Sequence, residues 1–423
     1  MGALYKKFQA SIETQLGKIA LPKIAVAVSS GSDSMALLLL MSQWAKIVKC
    51  KLVVLTVDHD LRPEAKAECE YVCQFSMQLG HECFVLKWDH HNQFSNLQAR
   101  ARDARYSLMT ELCKKQDIIA IATAHHLDDS IENYYIRKSR KSGLFGLSSS
   151  DIGFNNNIMI IRPLVTIYKQ ELVEFLYKNG VKWFEDQSNY SDKYLRNRIR
   201  KSLSILERKE LEIELAAIDL QVKQFGPLFI KAIASVVAIN KLGAAKINID
   251  NLENYHNDIR FQLISFILTI ISGKLKTPRY GSVELIIELL NCSKNFVKTL
   301  HGCILQRTKD ELLIYRECGR TLSEEVKLAK NVIWDNRFRY DGEEVKDSYI
   351  NNLTMDDYVK IKDKLDLSNI KKHQEILFTL PVVKTLEKIL AIPHISYYDD
   401  KGMIGKLGFS FQPQFTSRFT HFF

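Results

Sequence analysis

The chain has 423 residues, 46% of them hydrophobic and 26% charged. At roughly 150 residues per domain this predicts two or three domains with sizeable cores, and it excludes a disordered or fibrous chain. Lys and Arg number 59 against 49 Asp and Glu, and the net charge of +10 fits a polyanionic partner such as nucleic acid, an anionic membrane surface or simple solubility.

In chain order, the first 21 residues have their apolar positions interrupted by Lys6, Lys7, Glu13 and Lys18, so no secretory core fits there. Ile24–Val28 reads as a β-branched strand, followed by a helix over Ser34–Lys46. The alternation continues with strands over Leu52–Val57, Cys83–Trp88, Ile118–Thr123 and Ile158–Ile161. Helices are expected between and after them, over Pro63–Leu79, Asn96–Lys115, Asp129–Arg137 and Lys169–Asn179. Apolar strands alternating with amphipathic helices predict an α/β fold, a parallel sheet with helices on both faces. Ligands of such sheets sit beyond the carboxyl ends of the strands. After about residue 205 the texture becomes helical, over Glu207–Gln224, Ile230–Ile239, Asn257–Ile271 and Ser282–Leu290. A hairpin of Val297–Leu305 with Leu312–Tyr315 follows, turning at Thr308-Lys309-Asp310, and from Val332 short strands and loops predominate. The expected division is an α/β domain over 1–205, a mainly helical domain over 206–325 and a small α+β domain over 326–423. No apolar run reaches about 18 residues, so no spanning helix and no membrane partner are expected. The eight cysteines include no CxxC pair, which disfavours zinc ribbons, thioredoxin-like motifs and CxxC-ligated clusters. A reduced, cytoplasmic setting is the default.

Four segments carry chemistry. Ser29-Ser30-Gly31-Ser32-Asp33-Ser34 lies between the first strand and its helix, where small residues let backbone N–H groups and the helix N-terminus surround an anion. It has no Walker lysine. A carboxylate beside a polyphosphate calls for Mg²⁺, with Asp33 as its ligand; the plainer alternative is a Ser-rich helix cap. Val57-Asp58-His59-Asp60-Leu61-Arg62 follows the second strand. His125-His126-Leu127-Asp128-Asp129-Ser130-Ile131-Glu132 follows the fourth, and Asp129 and Glu132 share a helix face, as an ammonium group would require. The same cluster could ligate a metal, or simply favour the positive end of the helix. In Gln98–Tyr106, Arg102 and Arg105 can present guanidinium groups from one face. Two basic runs, Arg137–Lys141 and Lys193–Lys201 with Tyr190 and Tyr194 interleaved, suit RNA, although such runs are usually solvated helix faces.

Together these segments resemble the N-type ATP pyrophosphatases, and within them the tRNA(Ile)-lysidine synthase family. Ser29–Ser34 resembles its S-G-G-x-D-S loop, Val57–Arg62 its V-D-H-G-L-R segment, and Ala101, Arg102, Arg105 and Tyr106 its A-R-x-x-R-Y helix. Thr123–Glu132 matches T-A-H-H-x-D-D-Q-x-E. Arg162-Pro163-Leu164, Asp186-Gln187-Ser188-Asn189 and Arg196-Asn197-Arg198-Ile199-Arg200 match the later motifs. The likeness covers about residues 22–205. The middle and the tail, including Trp334-Asp335-Asn336-Arg337-Phe338, are similar in texture only. Ser30 and Asp60 stand where the family has Gly; if Ser30 needed a positive φ it would cost about 1 kcal/mol or more. Ser130 replaces Gln, and Arg137-Lys138-Ser139-Arg140 replaces a Gly-rich stretch, which predicts a stiffer, more basic loop.

The resemblance implies ligation of free L-lysine to C2 of the wobble cytidine of tRNA(Ile) with a CAU anticodon, through an adenylated cytidine, with ATP and Mg²⁺ consumed or used. It implies that Ser29, Ser30, Gly31, Ser32, Asp33 and Ser34 hold the leaving pyrophosphate, with Asp33 on the metal. Asp129 and Glu132 would hold the lysine amine, His125 the cytosine, and Arg102, Arg105 and Arg196 phosphates. The alternatives are a tRNA thiolase of the same superfamily, a two-metal phosphoesterase built on Asp58-His59 and His125–Asp129, and a decayed, basic tRNA-binding protein. Oligomeric state is not readable from the sequence.

Overall fold

The computed structural model describes residues 1–423 except 1, 18, 20, 61–62, 90–96, 150–151, 156–157, 186–194, 294, 320–324, 366, 368–372 and 414–423. Leu61-Arg62, Asp186–Asn189, Tyr190, Lys193 and Tyr194 therefore lie outside the described residues. The chain forms two compact units, Met1–Val222 and Lys223–Phe423.

In the first unit, helices α1 (Ala3–Leu16), α2 (Ser32–Val48), α3 (Ala65–Gln78), α4 (Leu97–Lys115), α5 (Leu127–Ser139), α6 (Leu144–Leu147), α7 (Lys169–Lys178) and α8 (Leu195–Ser202) alternate with strands β1 (Lys23–Ala27), β2 (Lys51–Asp58), β3 (Glu82–Lys87), β4 (Ala120–Ala122), β5 (Ile152–Asn155) and β6 (Ile158–Ile161). The sheet order is β3-β2-β1-β4-β6-β5. Its first five members are parallel; β5 adds an antiparallel edge that the sequence reading did not include. Alternation of side chains along each strand divides the core in two. Ile24, Val26, Leu52, Val54, Ala120 and Ala122 pack with α1, α2, α3 and α7 on one face. Ala25, Val53, Leu55 and Ile121 pack with Met109 and Cys113 of α4 on the other. The chain reverses direction across the sheet on either side of β1, so a crevice opens at the carboxyl ends of β1, β2 and β4. Cys73 of α3 and Cys83 of β3 form a disulfide, their Cα atoms 5.3 Å apart.

Helix α9 (Ile205–Val236) runs through Gly226-Pro227, where the sequence pattern suggested two helices. Its expected extension to Ile239 is instead β7 (Val237–Ile239), because these residues pair with Ala245–Ile247 of β8 (Ala245–Asn248). The short α10 (Ile249–Glu253), the almost wholly buried α11 (Asn257–Ser272) and α12 (Tyr280–Cys292) follow. The expected strand Val297–Leu305 is two strands, β9 (Phe296–Leu300) and β10 (Cys303–Arg307), turned at His301-Gly302 with both residues at positive φ. The turn at Thr308–Asp310 leads as expected into β11 (Glu311–Arg316), and the sheet order is β7-β8-β11-β10-β9.

The tail contains β12 (Val326–Lys327), β13 (Ile333–Trp334), β14 (Phe338–Tyr340), β15 (Tyr349–Asn352), α13 (Met355–Ile361), β16 (Pro381–Lys384), β17 (Ile389–Ile392), β18 (Tyr397–Tyr398) and β19 (Phe409–Phe411). These strands form two antiparallel sheets around a shared apolar cluster. Trp334–Phe338 is a hairpin whose turn residues Asp335 and Asn336 have φ of 51° and 52°, a conformation Asp and Asn tolerate. No helix among the described residues is long and apolar enough to cross a membrane.

Candidate active site

The loop after β1 is held by its own serines. Ser34 Oγ accepts from the Ser29 N–H at 3.1 Å and donates to the Gly31 carbonyl at 2.9 Å and to the Ser29 carbonyl. Gly31 caps α2 in extended backbone, so the first N–H groups of the helix face the crevice. A Cβ at Gly31 would meet only Ser29 Oγ, at 3.7 Å; the protein leaves this space open, as an anion cradle requires. Ser30 has no left-handed φ. The penalty considered for a serine there is absent, and its hydroxyl donates to Glu68 Oε2 on α3 at 2.8 Å. Asp60, the other residue standing for a glycine, does take φ of 50°, and its N–H donates to Asp58 Oδ1 at 2.9 Å.

The loop is the common wall of two cavities. The first, about 450 Å³, is lined by Ser29, Ser30, Gly31, Asp33, Ser34, His59, Arg105, Tyr106, His125 and Asp129 among others. It is mixed in character, with Val28, Leu55, Val57 and Met109 beside the polar groups. The second, about 490 Å³, is strongly charged and is lined by Ser29–Asp33, Glu68, His126, Asp128, Glu132, Lys169, Glu185, Arg200 and Arg208.

The two histidines play opposite electrostatic parts. His125 accepts or donates at Nδ1 with Thr123 Oγ1, 3.1 Å away. Burial, and then Arg162, Arg102, Arg105 and Arg196, hold its pKa well below the ordinary value, so it is a neutral imidazole at pH 7. His126 is also buried, which opposes charging. Yet Asp128 at 3.5 Å, Asp33 at 3.6 Å and Asp129 at 3.7 Å outweigh that and raise its pKa to about 10. It is therefore an imidazolium that gathers three carboxylates. Asp128 also accepts from the Lys169 N–H at 2.9 Å and pairs with Arg208 at 3.4 Å, and it titrates at about 2. Asp33 lies 3.9 Å from Lys169 Nζ, and despite burial its pKa is lowered by His126 and Lys169.

Glu132 is fully buried, which raises its pKa. Its Oε1 accepts from Arg200 Nε, and Arg200 Nη2 reaches Asp129 Oδ1 at 3.2 Å. The sequence reading brought the loop, His125, Asp129 and Glu132 to one place, and the structure gathers them there. Arg102 and Arg196 line neither cavity. Arg102 stacks over Tyr106 at 5.3 Å, and Arg196 donates to Asn133 Oδ1 at 2.8 Å. Lys169, Arg208 and Glu68 are site residues that the sequence did not single out. Arg200 stood out there only within the basic run and the R-N-x-I-R motif, with no role in this pocket. Arg137 and Lys138 are not in a loop: they end α5, where Arg137 donates to the Gly146 and Ser148 carbonyls and Lys138 pairs with Glu214 at 2.5 Å.

Asp33 presents one carboxylate to both cavities. Among the described residues no three His, Cys, Asp or Glu side chains form a metal cage. A single protein carboxylate fits Mg²⁺, which takes its remaining oxygens from phosphates and water.

A nucleotide-sized cavity, a serine-glycine anion loop at the β1 switch point and a buried carboxylate cluster define an ATP-binding PP-loop enzyme, and residues 4–206 match the family model described as a PP-loop domain. Full-length relatives sharpen this. The tRNA(Ile)-lysidine synthase of Rickettsia bellii (strain OSU 85-389) is 48% identical, over 99% of this chain and all of that protein. Those of Rickettsia felis and Rickettsia typhi are 47% and 45% identical over the same shares. The chain belongs to the tRNA(Ile)-lysidine synthase family. Among solved structures, the U34-tRNA thiolase NcsA from Methanococcus maripaludis aligns with a TM-score of 0.45 and 15% identity, covering 52% of this chain and 80% of that one. The full-length relatives are lysidine synthases, and the thiolase alternative is set aside.

Proposed function

We propose that the protein ligates L-lysine to C2 of the wobble cytidine of a CAU-anticodon tRNA(Ile), in the cytoplasm, with ATP becoming AMP and pyrophosphate. The observation that supports this best is that one anion loop separates a nucleotide-sized cavity from a carboxylate-lined one. That arrangement brings an adenylated base and an amine together.

In the first step cytosine O2 attacks the α-phosphorus of ATP, and the bond to the β,γ-pyrophosphate breaks. The N–H groups of the Ser29–Ser34 loop receive the charge that develops on the leaving group. Mg²⁺, held by Asp33, would supply further charge neutralisation. Arg105, at the wall of the first cavity, is placed for the phosphates. Arg102 and Arg196 are then assigned to tRNA phosphates outside the cavities. Neutral His125 contacts the cytosine by hydrogen bonding, without supplying a charge. The wobble base leaves its stack to enter.

In the second step the lysine ε-amine attacks C2 and AMP departs. The amine must first lose a proton. Glu132, its carboxylate made more basic by burial, is the acceptor, and Asp129 orients the amine. The segments 206–325 and 326–423 would hold the tRNA by shape and phosphate contacts.

The test is purified protein with Mg·ATP, radiolabelled lysine and tRNA(Ile) transcript, against methionine tRNA with the same anticodon. Lysine should enter only the isoleucine tRNA, with AMP released. Retained tRNA binding with no incorporation would move the assignment to a non-catalytic binder.

A further inference from the structure

The carboxylates around the proposed amine site are already occupied. Asp128 is committed to His126, Arg208 and the start of α7; Asp33 faces His126 and Lys169. Asp129 and Glu132 are spanned by one guanidinium, that of Arg200. Its Nε serves Glu132 Oε1 and its Nη2 serves Asp129 Oδ1. Two oxygens that an ammonium group would need are thereby taken by an internal cation. Asp129 Oδ2 accepts from the His126 N–H at 3.3 Å, which leaves Glu132 Oε2, a buried oxygen with no hydrogen-bond partner among the described residues. It offers an incoming amine a first contact, but not the pair.

Arg200 is only partly buried: its side chain is 30% exposed, whereas that of its partner Glu132 is 1% exposed. It sits on α8, an eight-residue helix whose Asn197 and Ile199 are buried and whose Arg196, Arg198 and Lys201 face solvent. The same short element therefore places a cation inside the amine site and a basic face outside it, suited to an RNA backbone. A polyanion gripping the outer face pulls on the helix that carries the inner arginine.

We propose that Arg200 is an internal competitor for the lysine amine: it fills the Asp129–Glu132 pair in the RNA-free enzyme, and tRNA bound on the outer face of α8 withdraws it to admit lysine. This rests on the reading of Asp129 and Glu132 as the amine site. It makes Arg200 a gating residue that sets the order of binding, since the apparent affinity of a site falls with the fraction in which it is open.

The experiment is lysine binding by calorimetry to the full chain, with and without tRNA(Ile) transcript and without ATP, for wild type, Arg200→Gln, Arg200→Lys and Asp129→Asn. Without tRNA, Arg200→Gln should bind lysine about tenfold or more tightly than wild type, as expected for removing a charged hydrogen-bonded competitor. Arg200→Lys, which cannot span both carboxylates, should lie between them. Added tRNA should tighten lysine binding to wild type and change it little in Arg200→Gln. Weaker or unchanged binding in Arg200→Gln overturns the proposal and makes the arginine a ligand of lysine or a bystander. Asp129→Asn separates the two readings: unchanged lysine binding in that variant means the amine site itself is misassigned, whatever Arg200 does. ATP binding at the first cavity, which Arg200 does not line, checks that the Arg200 variants are folded, and a urea unfolding curve does so for Asp129→Asn, which lines it; if Arg200→Gln loses ATP binding, Arg200→Lys carries the decision.

Discussion

Both units bury ion pairs, and they do so to different ends. In the first unit, Asp33, Asp128, Asp129 and Glu132 surround His126 and Arg200 beside a cavity of about 490 Å³. Most of these groups keep some access to solvent. In the second unit, Asp335 accepts from Arg337 Nε at 2.7 Å and from Arg316 Nη2 at 3.3 Å, with Arg337 also donating to the Thr379 carbonyl at 2.6 Å. The side chains of Arg316, Asp335 and Arg337 are 3%, 8% and 0% exposed. The hairpin that carries Asp335 presses on the end of α11, where Gly273 has φ of 66° and a Cβ would lie 2.2 Å from the Asp335 carbonyl oxygen. Buried charge beside open space can exchange partners with a substrate. Buried charge sealed by packing fixes one arrangement of the chain.

That contrast predicts the largest difference between two similar substitutions. Asp335→Asn strips a carboxylate partner from two buried guanidinium groups and should lower stability by about 3–5 kcal/mol. Urea unfolding of the full chain would show it as an early transition of the second unit, with lysine binding little altered in the protein that remains folded. Asp129→Asn leaves Arg200 its contact with Glu132 and should cost about 1 kcal/mol or less, while weakening lysine about 10- to 100-fold. Equal stability losses in the two variants would erase the distinction.

The sequence made the first region far more legible than the second. The loop Ser29–Ser34 and the run His125–Glu132 are contiguous, and their chemistry is local: small residues after a strand, two carboxylates on one helix face. Arg200 reaches Glu132 from 68 positions away, and Lys169 meets Asp33 only because α7 packs beside α2 on the sheet. No spacing rule announces such pairs. The parallel sheet followed from alternating strands and helices, whereas β5 and β7 are set by the neighbour they pair with. Asp335 and Arg337 carried no signal in a tail that read only as short strands and loops, and only the tertiary fold buries them.

A second contrast lies in the buried histidines. His394, in the second unit, has no hydrogen-bond partner on either ring nitrogen among the described residues, and burial together with Lys241 and Arg337 lowers its pKa to about 4. The unfolded chain takes up this proton near pH 6.5 and the folded chain does not. Stability from His394 is therefore complete above pH 6.5 and is lost as pH falls towards 4, by about 3 kcal/mol. His126, held protonated by carboxylates, has the opposite sign. His394→Phe should flatten the stability profile of the second unit between pH 6.5 and 4, measured as unfolding midpoints in urea. A slope unchanged by the substitution would assign the acid sensitivity to other groups.

The smallest effect belongs to Lys138, a cation at the surface. It pairs with Glu214 at 2.5 Å, with the two side chains 49% and 43% exposed, and its amine lies 5.7 Å from the Tyr134 ring. An exposed pair of this kind contributes about 0.2–1 kcal/mol. Lys138→Ala should therefore lower the unfolding free energy by no more than about 1 kcal/mol, less at high salt. Because the amine is engaged by α9, the same variant should change tRNA affinity by less than about threefold at constant salt, a fraction of the loss expected when a phosphate-contacting cation is removed. A tenfold loss of tRNA affinity would show that Lys138 leaves Glu214 for RNA. The pair would then belong with the exchangeable charges of the active site and not with the fixed ones.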